Sequence, residues 1–157
     1  MRDRFQQSSP LPHLLLRVFI CLIAMLTIGC GSHDGVNNAS PDDSRIKELA
    51  STYAVYMNSK GGRPPANEAD FKSFISESGD ALLKSADVGT VDELFVSPRD
   101  NQPYLIAYGS EAAKLISQGG VVIYERNGKD GRRLVGNRGG FVNELDEAEF
   151  RKLVPAP

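Results

Sequence analysis

The stretch VVIYERNGKDGRRLVGNRGGFVNE, residues 121–144, is the most informative about the fold, because it predicts an antiparallel meander. Residues 121–125 are mostly β-branched or aromatic, which is typical of a strand. The Asn-Gly and Asp-Gly pairs that follow favour a tight hairpin turn, so residues 133–135 are expected to pair back onto this strand. Glycines within residues 136–140 then predict a second turn, which leads into a closing strand over residues 141–144.

Two aromatic residues near the C-terminal end are expected in the core. Phe141 is the only aromatic residue of the glycine-rich closing segment and is expected to hold that segment against the core. Phe150 faces inward from a last short helix. Asp146 caps this helix, and Glu149, three residues later, completes a capping box.

Toward the N-terminus the sequence predicts helices before the sheet. Ser40 can cap the first helix, Pro41 suits its first position, and Asp43 falls at the capping-box position. The helix then has apolar residues at helical spacing, at Ile46, Leu49, Ala50, Tyr53 and Met57. A second, shorter helix begins at Asn67 and has one apolar face, made of Phe71, Phe74 and Ile75.

The segment between these helices and the meander has weaker signals. Residues 81–86 are expected to add a helical turn, residues 87–92 a loop, and residues 104–108 the first clear strand. Residues 109–118 fit either a short helix or an ordered excursion. Helices followed by a three- to four-stranded antiparallel sheet and a short C-terminal helix make an α+β fold.

The segment LLLRVFICLIAMLTIGC, residues 14–30, predicts where the chain resides. Its apolar run, residues 18–28, is shorter than the roughly 20 residues that span a bilayer, and arginines precede it, as in a secretory signal. The run ends in Ile28-Gly29-Cys30, which resembles the lipobox of bacterial lipoproteins, with Thr27 where leucine is usual. An uncleaved anchor and an ordinary signal with a chance cysteine are the alternatives.

The lipobox resemblance implies that Cys30 is lipidated and becomes the N-terminus, which gives the chain a stable membrane anchor. Gly31 and Ser32 follow the cysteine rather than aspartate, which in lipoproteins implies the outer membrane, facing the periplasm. The expected organisation is a signal peptide at residues 1–29, a lipidated cysteine and flexible tether at residues 30–41, and one globular α+β domain at residues 42–157.

Composition excludes several classes of function. The signal peptide removes three arginines and one aspartate from 18 basic and 20 acidic residues, so the remaining chain has a net charge of −4, and nucleic acid is not an expected partner. Both histidines and both cysteines precede residue 42, which excludes Cys/His zinc sites and the Ser-His-Asp arrangement from the globular domain. Carboxylate chemistry, a Ser–Lys pair and an oxygen-ligand metal site stay open, but no motif indicates any of them. We expect a non-enzymatic domain without cofactor or metal.

One cluster of cations is a candidate binding site. It lies on and around the predicted hairpin and consists of Arg126, Lys129, Arg132, Arg133 and Arg138. On adjacent strands these side chains could contact an anionic envelope polymer or lipid head groups. The alternative is a solvated hairpin whose charges are paired in salt bridges. Few aromatic residues are interleaved with the cations, so nucleic-acid binding is not expected.

The order of elements is similar to the globular part of type IV pilins and pseudopilins. A closer resemblance is to bacterial families of small exported proteins with a pilin-like C-terminal domain, on residues 135–142 (VGNRGGFV) and 145–150 (LDEAEF). Gly139 stands where that pattern has aspartate. The resemblance implies a pilin-like fold. From the expected anchor and the lack of a catalytic motif we expect a non-catalytic binding or scaffold module of the cell envelope, which binds envelope proteins or an anionic envelope polymer. The alternatives are a pseudopilin-like component of a secretion or surface assembly and, third, a carboxylate-based hydrolase.

Overall fold

The structure, a computed structural model, describes residues 43–154, and the expected signal peptide, Cys30, the tether and the Ser40-Pro41 cap lie outside them. The described chain forms six helices and four strands. In order they are α1 (Ser44–Ser59), α2 (Glu68–Glu77), α3 (Asp80–Ser85), α4 (Val91–Leu94), β1 (Leu105–Ile106), α5 (Gly109–Gln118), β2 (Val121–Tyr124), β3 (Arg132–Asn137), β4 (Val142–Asp146) and α6 (Glu147–Leu153). Within residues 43–154, every helix is too short or too polar to cross a membrane.

The predicted apolar stripe of helix α1 is confirmed. All five of its residues are buried, and Tyr56 is buried beside them. The helix ends at Lys60, where the backbone N–H of Gly62 donates to the Met57 carbonyl oxygen at 2.7 Å and Gly61 adopts a φ of 66°. This is the glycine-terminated helix end that the Gly-Gly pair predicts.

Helix α2 begins at the predicted cap, because the Asn67 side chain accepts a hydrogen bond from the Asp70 N–H at 2.9 Å. Its buried Phe71 meets the Tyr53 ring edge-on, with centroids 5.4 Å apart. The predicted loop at residues 87–92 is wrong in its second half. Thr90 and Glu93 form a reciprocal capping box there, and this pair of side-chain bonds starts helix α4.

The meander is confirmed as one antiparallel sheet with strand order β1-β2-β3-β4. At the first hairpin, Lys129 and Arg132 exchange backbone hydrogen bonds of 2.8 and 2.9 Å. The two residues between them, Asp130 and Gly131, have φ values of 52° and 75°. Positive φ at both positions is the turn that matches strand twist, which explains why Asp-Gly forms this connection.

The two faces of the sheet are covered differently. Helix α1 packs against β2, β3 and β4, and it buries Ile123 and Leu134 on the first face. Helices α5 and α6 cover the second face, where Val135 and Phe150 join a separate apolar cluster. The α6 prediction is confirmed in detail, since Asp146 and Glu149 form both bonds of the capping box.

The prediction that Phe141 is buried is wrong, because its side chain is 71% exposed. Residues 138–140 form a three-residue turn between β3 and β4, closed by the Asn137 N–H donating to the Phe141 carbonyl oxygen at 2.9 Å. The Asn137 side-chain oxygen accepts from the Gly139 and Phe141 N–H groups at 2.9 and 3.2 Å. This tight turn holds Phe141 outward, and Val142 packs against the core instead.

Candidate functional site

The predicted basic cluster is divided between the two faces of the sheet. Successive strand residues point to opposite faces, so the adjacent Arg132 and Arg133 diverge. On the first face, Arg132 Nε lies 3.2 Å from Glu144 Oε2, and its Nη2 donates to the Glu144 carbonyl oxygen at 3.0 Å. This arginine is thus held along the edge strand β4.

Arg133 lies on the second face, against helix α6. Its Nε is 3.1 Å from Glu147 Oε2, and its guanidinium carbon lies 4.7 Å from the centre of the Phe150 ring. A cation at this distance over an aromatic face is attracted by the ring. Arg133 also donates to the carbonyl oxygen of Arg126, so it joins the hairpin to the helix.

The remaining cations of the cluster lie at opposite ends of β3. Arg126 and Lys129 flank the first hairpin turn, whereas Arg138 lies in the second turn. None of these three forms an ion pair with a carboxylate of residues 43–154. The five predicted residues therefore belong to several surfaces. Contact between them and an anionic ligand stays a prediction.

A buried polar site that sequence reasoning missed lies where the 97–103 loop meets the first hairpin. We call it the junction cluster: Ser97, Arg99, Asp100, Glu125 and Glu144. Glu125 is fully buried, and its Oε1 accepts from the Ser97 hydroxyl at 2.8 Å. Arg99, with a side chain only 8% exposed, places Nε 3.5 Å from that oxygen and donates from Nη2 to Glu144 at 2.6 Å.

The carboxylate of Glu125 also takes the place of a backbone acceptor in the sheet. Its Oε2 accepts from the Leu134 N–H at 2.8 Å, while the Glu125 N–H donates to the Leu134 carbonyl oxygen at 3.1 Å. This substitution explains why β2 ends at Tyr124, one residue earlier than predicted. Both oxygens of the buried acid are occupied, so its contacts are those of a structural carboxylate.

Asp100 joins the loop to the hairpin turn. Its Oδ2 accepts from the N–H groups of Asn127 and Gly128 at 2.9 and 3.1 Å, and its Oδ1 accepts from Gln102 at 3.1 Å. Burial raises the pKa of Asp100, but these N–H donors outweigh it and hold the pKa below its usual range. A Cβ at Gly128 would overlap the Arg132 carbonyl oxygen, so only glycine fits there.

The second face of the sheet carries a groove of about 370 Å³ between helices α5 and α6. Its floor is mostly apolar, and the Tyr124 and Phe150 rings within it lie 5.2 Å apart. The volume falls in the range of about 300–1,000 Å³ that is typical of small-ligand sites. The lining comprises Leu105, Glu111, Lys114, Leu115, Gln118, Tyr124, Arg133, Phe150, Arg151 and Val154.

The rim of the groove carries more cations than acids. Lys114, Arg133 and Arg151 face one acid, Glu111. Glu147, outside the lining, pairs with Arg133 at 3.1 Å and with Arg151 at 2.7 Å. A hydrogen bond from Arg151, together with the charges of both arginines, lowers the pKa of Glu147. Counting these five groups leaves one net positive charge, which favours an anionic ligand.

Arg133, one of the cations that the sequence offers as a candidate contact, lies in the groove lining, but the sequence does not predict the groove itself. Its lining spans residues 105–154 and depends on how α5 and α6 lie on the sheet, which no local pattern records. Residues 109–118 were ambiguous between a helix and an excursion, and the structure shows a helix. Among residues 43–154 no group of three or more acidic, histidine or cysteine side chains is arranged to hold a metal ion.

Comparisons with known proteins do not place the chain in a family. No protein-family model matches the chain, and no curated protein or solved structure matches it.

Proposed function

We propose that this chain is an exported cell-envelope protein, anchored by lipid at Cys30, whose globular domain is a non-catalytic binding module. The groove on the second face carries this proposal, because it combines an aromatic floor with a cationic rim. The lipobox-like Ile28-Gly29-Cys30 supports the anchor, and Gly31-Ser32 supports an outer-membrane location facing the periplasm.

The ligand we propose for the groove is an acidic, partly apolar segment of an envelope protein. Apolar side chains fit the part of the floor where Leu105 and Tyr124 are half-buried, whereas a carboxylate fits near Lys114 and Arg151. Lys114 forms no ion pair with a carboxylate of the described chain, so its charge is available to a ligand. An anionic polymer without apolar groups would use the rim alone and bind more weakly.

An anionic aromatic probe tests the groove. We expect anilinonaphthalene sulfonate to bind the full chain in detergent, seen as fluorescence above that of the same detergent without protein. This excess should decrease as salt is added, because exposed charges are screened over about 10 Å at 0.1 M. Lys114→Gln and Arg151→Gln should each weaken binding about twofold to fivefold, the usual effect of one exposed charge.

The matched control is Arg126→Gln, which removes an exposed cation outside the groove. It should leave probe binding unchanged. Equal losses in all three variants, or binding that salt does not affect, would contradict the groove as the site. Circular dichroism of each variant distinguishes a groove effect from partial unfolding.

The anchor has its own test. Cys30→Ser removes the thiol to which lipid would be attached, so we expect an unprocessed precursor and no incorporation of labelled fatty acid. A Cys30→Ala chain should behave in the same way. Processing of the serine variant, with retention in the membrane, would contradict the lipoprotein assignment without affecting the groove.

Pseudopilin-like assembly is the second candidate, favoured by the packing of α1 across the antiparallel meander. An assembled filament would bring helix α1 of one copy near another copy. Val55 is 57% exposed on this helix, and the residues after 30 contain no other cysteine. Val55→Cys should therefore form cross-linked dimers in membranes if the chain assembles, and remain monomeric if it acts alone.

A further inference from the structure

The second turn of the meander has an unusual surface for a connection between strands. Phe141 is 71% exposed, and its ring atoms lie 3.3 and 3.4 Å from the position of a Cβ on Gly139. The ring therefore lies over Gly139 of its own turn. Four backbone and side-chain hydrogen bonds from or to Asn137 hold this turn in place. The exposed ring is thus presented by a well-ordered turn.

A second exposed apolar residue lies beside this turn. Val55 and Phe141 are the two large apolar side chains that are strongly exposed within residues 43–154. A Cβ on Gly140 would lie 3.3 Å from the Ser51 Cα and 3.7 Å from the Ala54 Cβ, so the turn packs directly on helix α1. Val55 follows Ala54 and lies one helical turn after Ser51. Val55 and Phe141 therefore lie on either side of the contact between the turn and helix α1.

Two cations accompany this apolar surface. Arg138 belongs to the turn, and Lys47 lies one helical turn before Ser51, on the same side of α1. Neither side chain pairs with a carboxylate of residues 43–154. A surface with exposed apolar side chains and uncompensated cations is the combination that binds the interface of an anionic bilayer.

We propose that the 138–141 turn, together with Val55 and Lys47, is a membrane-contact surface. Phe141 and Val55 enter the interface between head groups and acyl chains, while Arg138 and Lys47 contact lipid phosphates. The proximity of a bilayer rests on the anchor proposed at Cys30. The 13 residues from Cys30 to Asp43 reach at most about 45 Å when extended. Ser51 lies only about 10 Å along the helix from Ser44.

The chain offers a clean fluorescent reporter because it contains no tryptophan. Phe141→Trp places a single indole on the proposed surface, and Ala113→Trp places one on the exposed side of α5 as the matched control. Each full chain is purified with its native modification and incorporated into vesicles that contain phosphatidylglycerol and brominated lipids. We expect the emission of Phe141→Trp to shift to shorter wavelength and to be quenched, with neither effect in the control.

The charge requirement is tested in the same vesicles. Arg138→Gln in the Phe141→Trp chain should lower the ratio of quenched to unquenched protein about fivefold, as expected for one cation near an anionic surface. Replacement of phosphatidylglycerol by phosphatidylcholine should lower it further. Val55→Trp provides a second reporter on the same surface if Phe141→Trp does not fold.

Three results would overturn the inference: equal quenching at positions 141 and 113, quenching that is independent of lipid charge, or a spectral shift without vesicles that grows with protein concentration. The last would identify a second copy of the chain as the occupant. Lipid labelling of the same samples separates the two proposals. A labelled chain without quenching at position 141 refutes the contact alone, and an unlabelled chain that is quenched refutes the anchor alone.

Discussion

The loops at the two ends of strand β3 differ in which side chains they bury and which they expose. At one end, the junction cluster buries Glu125 and Arg99 and occupies both oxygens of the glutamate. At the other end, the 138–141 turn leaves Phe141 exposed and Arg138 without an ion pair to a described carboxylate. Both placements are unusual, because glutamate is rarely fully buried and phenylalanine is usually buried, whereas here Glu125 is buried and Phe141 is exposed.

A buried ion pair and an exposed aromatic ring both cost free energy unless other contacts compensate for them. A charge leaves water at little cost only when hydrogen bonds replace its hydration, as the Ser97 hydroxyl and Leu134 N–H do for Glu125. The exposed ring of Phe141 has no such compensation among residues 43–154. Stability should therefore depend strongly on the first end and weakly on the second, and three measurements test this contrast.

The largest expected effect is that of Arg99→Ala. Removal of one partner from a buried ion pair leaves the other charge uncompensated, which costs about 3–5 kcal/mol of the free energy of unfolding. Urea denaturation measures this loss. The control is Arg132→Ala, because Arg132 pairs with the same Glu144 but is 48% exposed, where a pair contributes about 1 kcal/mol or less. Similar losses in both variants would show that burial does not distinguish the two arginines.

A smaller change in the free energy of unfolding is expected when the pH is lowered. The pKa of Asp100 is lower in the folded chain, and the pKa of Glu144 is lowered by its hydrogen bond from Arg99. Groups of this kind stabilise the fold fully above their unfolded pKa of about 4, and the contribution is lost as the pH falls through the folded value. The free energy of unfolding should thus decrease as the pH is lowered from 5 to 3.

Asp100→Asn sharpens this measurement. The amide does not ionise, so the dependence of the free energy of unfolding on pH between 5 and 3 should become shallower. We expect a loss of about 1.5–3 kcal/mol at neutral pH, the usual contribution of a hydrogen bond to a charged group. An unchanged slope would mean that Asp100 does not contribute to the acid sensitivity.

The smallest expected effect on stability is that of Phe141→Ala, at about 0.5 kcal/mol or less, because the side chain is exposed. Phe71→Ala is the matched control at a fully buried position, where about 3–5 kcal/mol is usual. A loss above 2 kcal/mol for Phe141→Ala would show that the ring is buried in solution. The two variants thus compare the loss of stability at an exposed and at a fully buried phenylalanine.

The order of elements was predictable because its signals are local. The stripe of α1, the Asn67 cap and the Asp130-Gly131 turn each depend on residues a few positions apart. Such patterns determine α+β architecture and strand order well. The error at residues 90–93 also concerns a local signal, because the Thr90–Glu93 capping box starts a helix where a loop is predicted.

The sites were less predictable because their contacts are distant in sequence. Ser97 and Glu125 are 28 positions apart, and only the fold of the intervening chain joins them. Arg132 and Arg133 appear equivalent until the bounds of β3 assign them to opposite faces. Phe141 was misplaced for a related reason. The number of residues in the turn, rather than the hydrophobicity of the residue, decides whether its side chain points inward.

The start of helix α1 has a mechanical consequence. Arg45 Nη1 donates to the carbonyl oxygens of Glu93 and Val96 at 3.2 and 3.1 Å, and the Ser44 hydroxyl donates to Ala86 at 3.4 Å. Any force applied through the chain before residue 43 enters the domain here. The bonds connect the first helical turn to segments more than 40 residues away. Part of the applied force is therefore carried by those segments. A pull on the chain before residue 43 would strain these bonds before it reached the sheet.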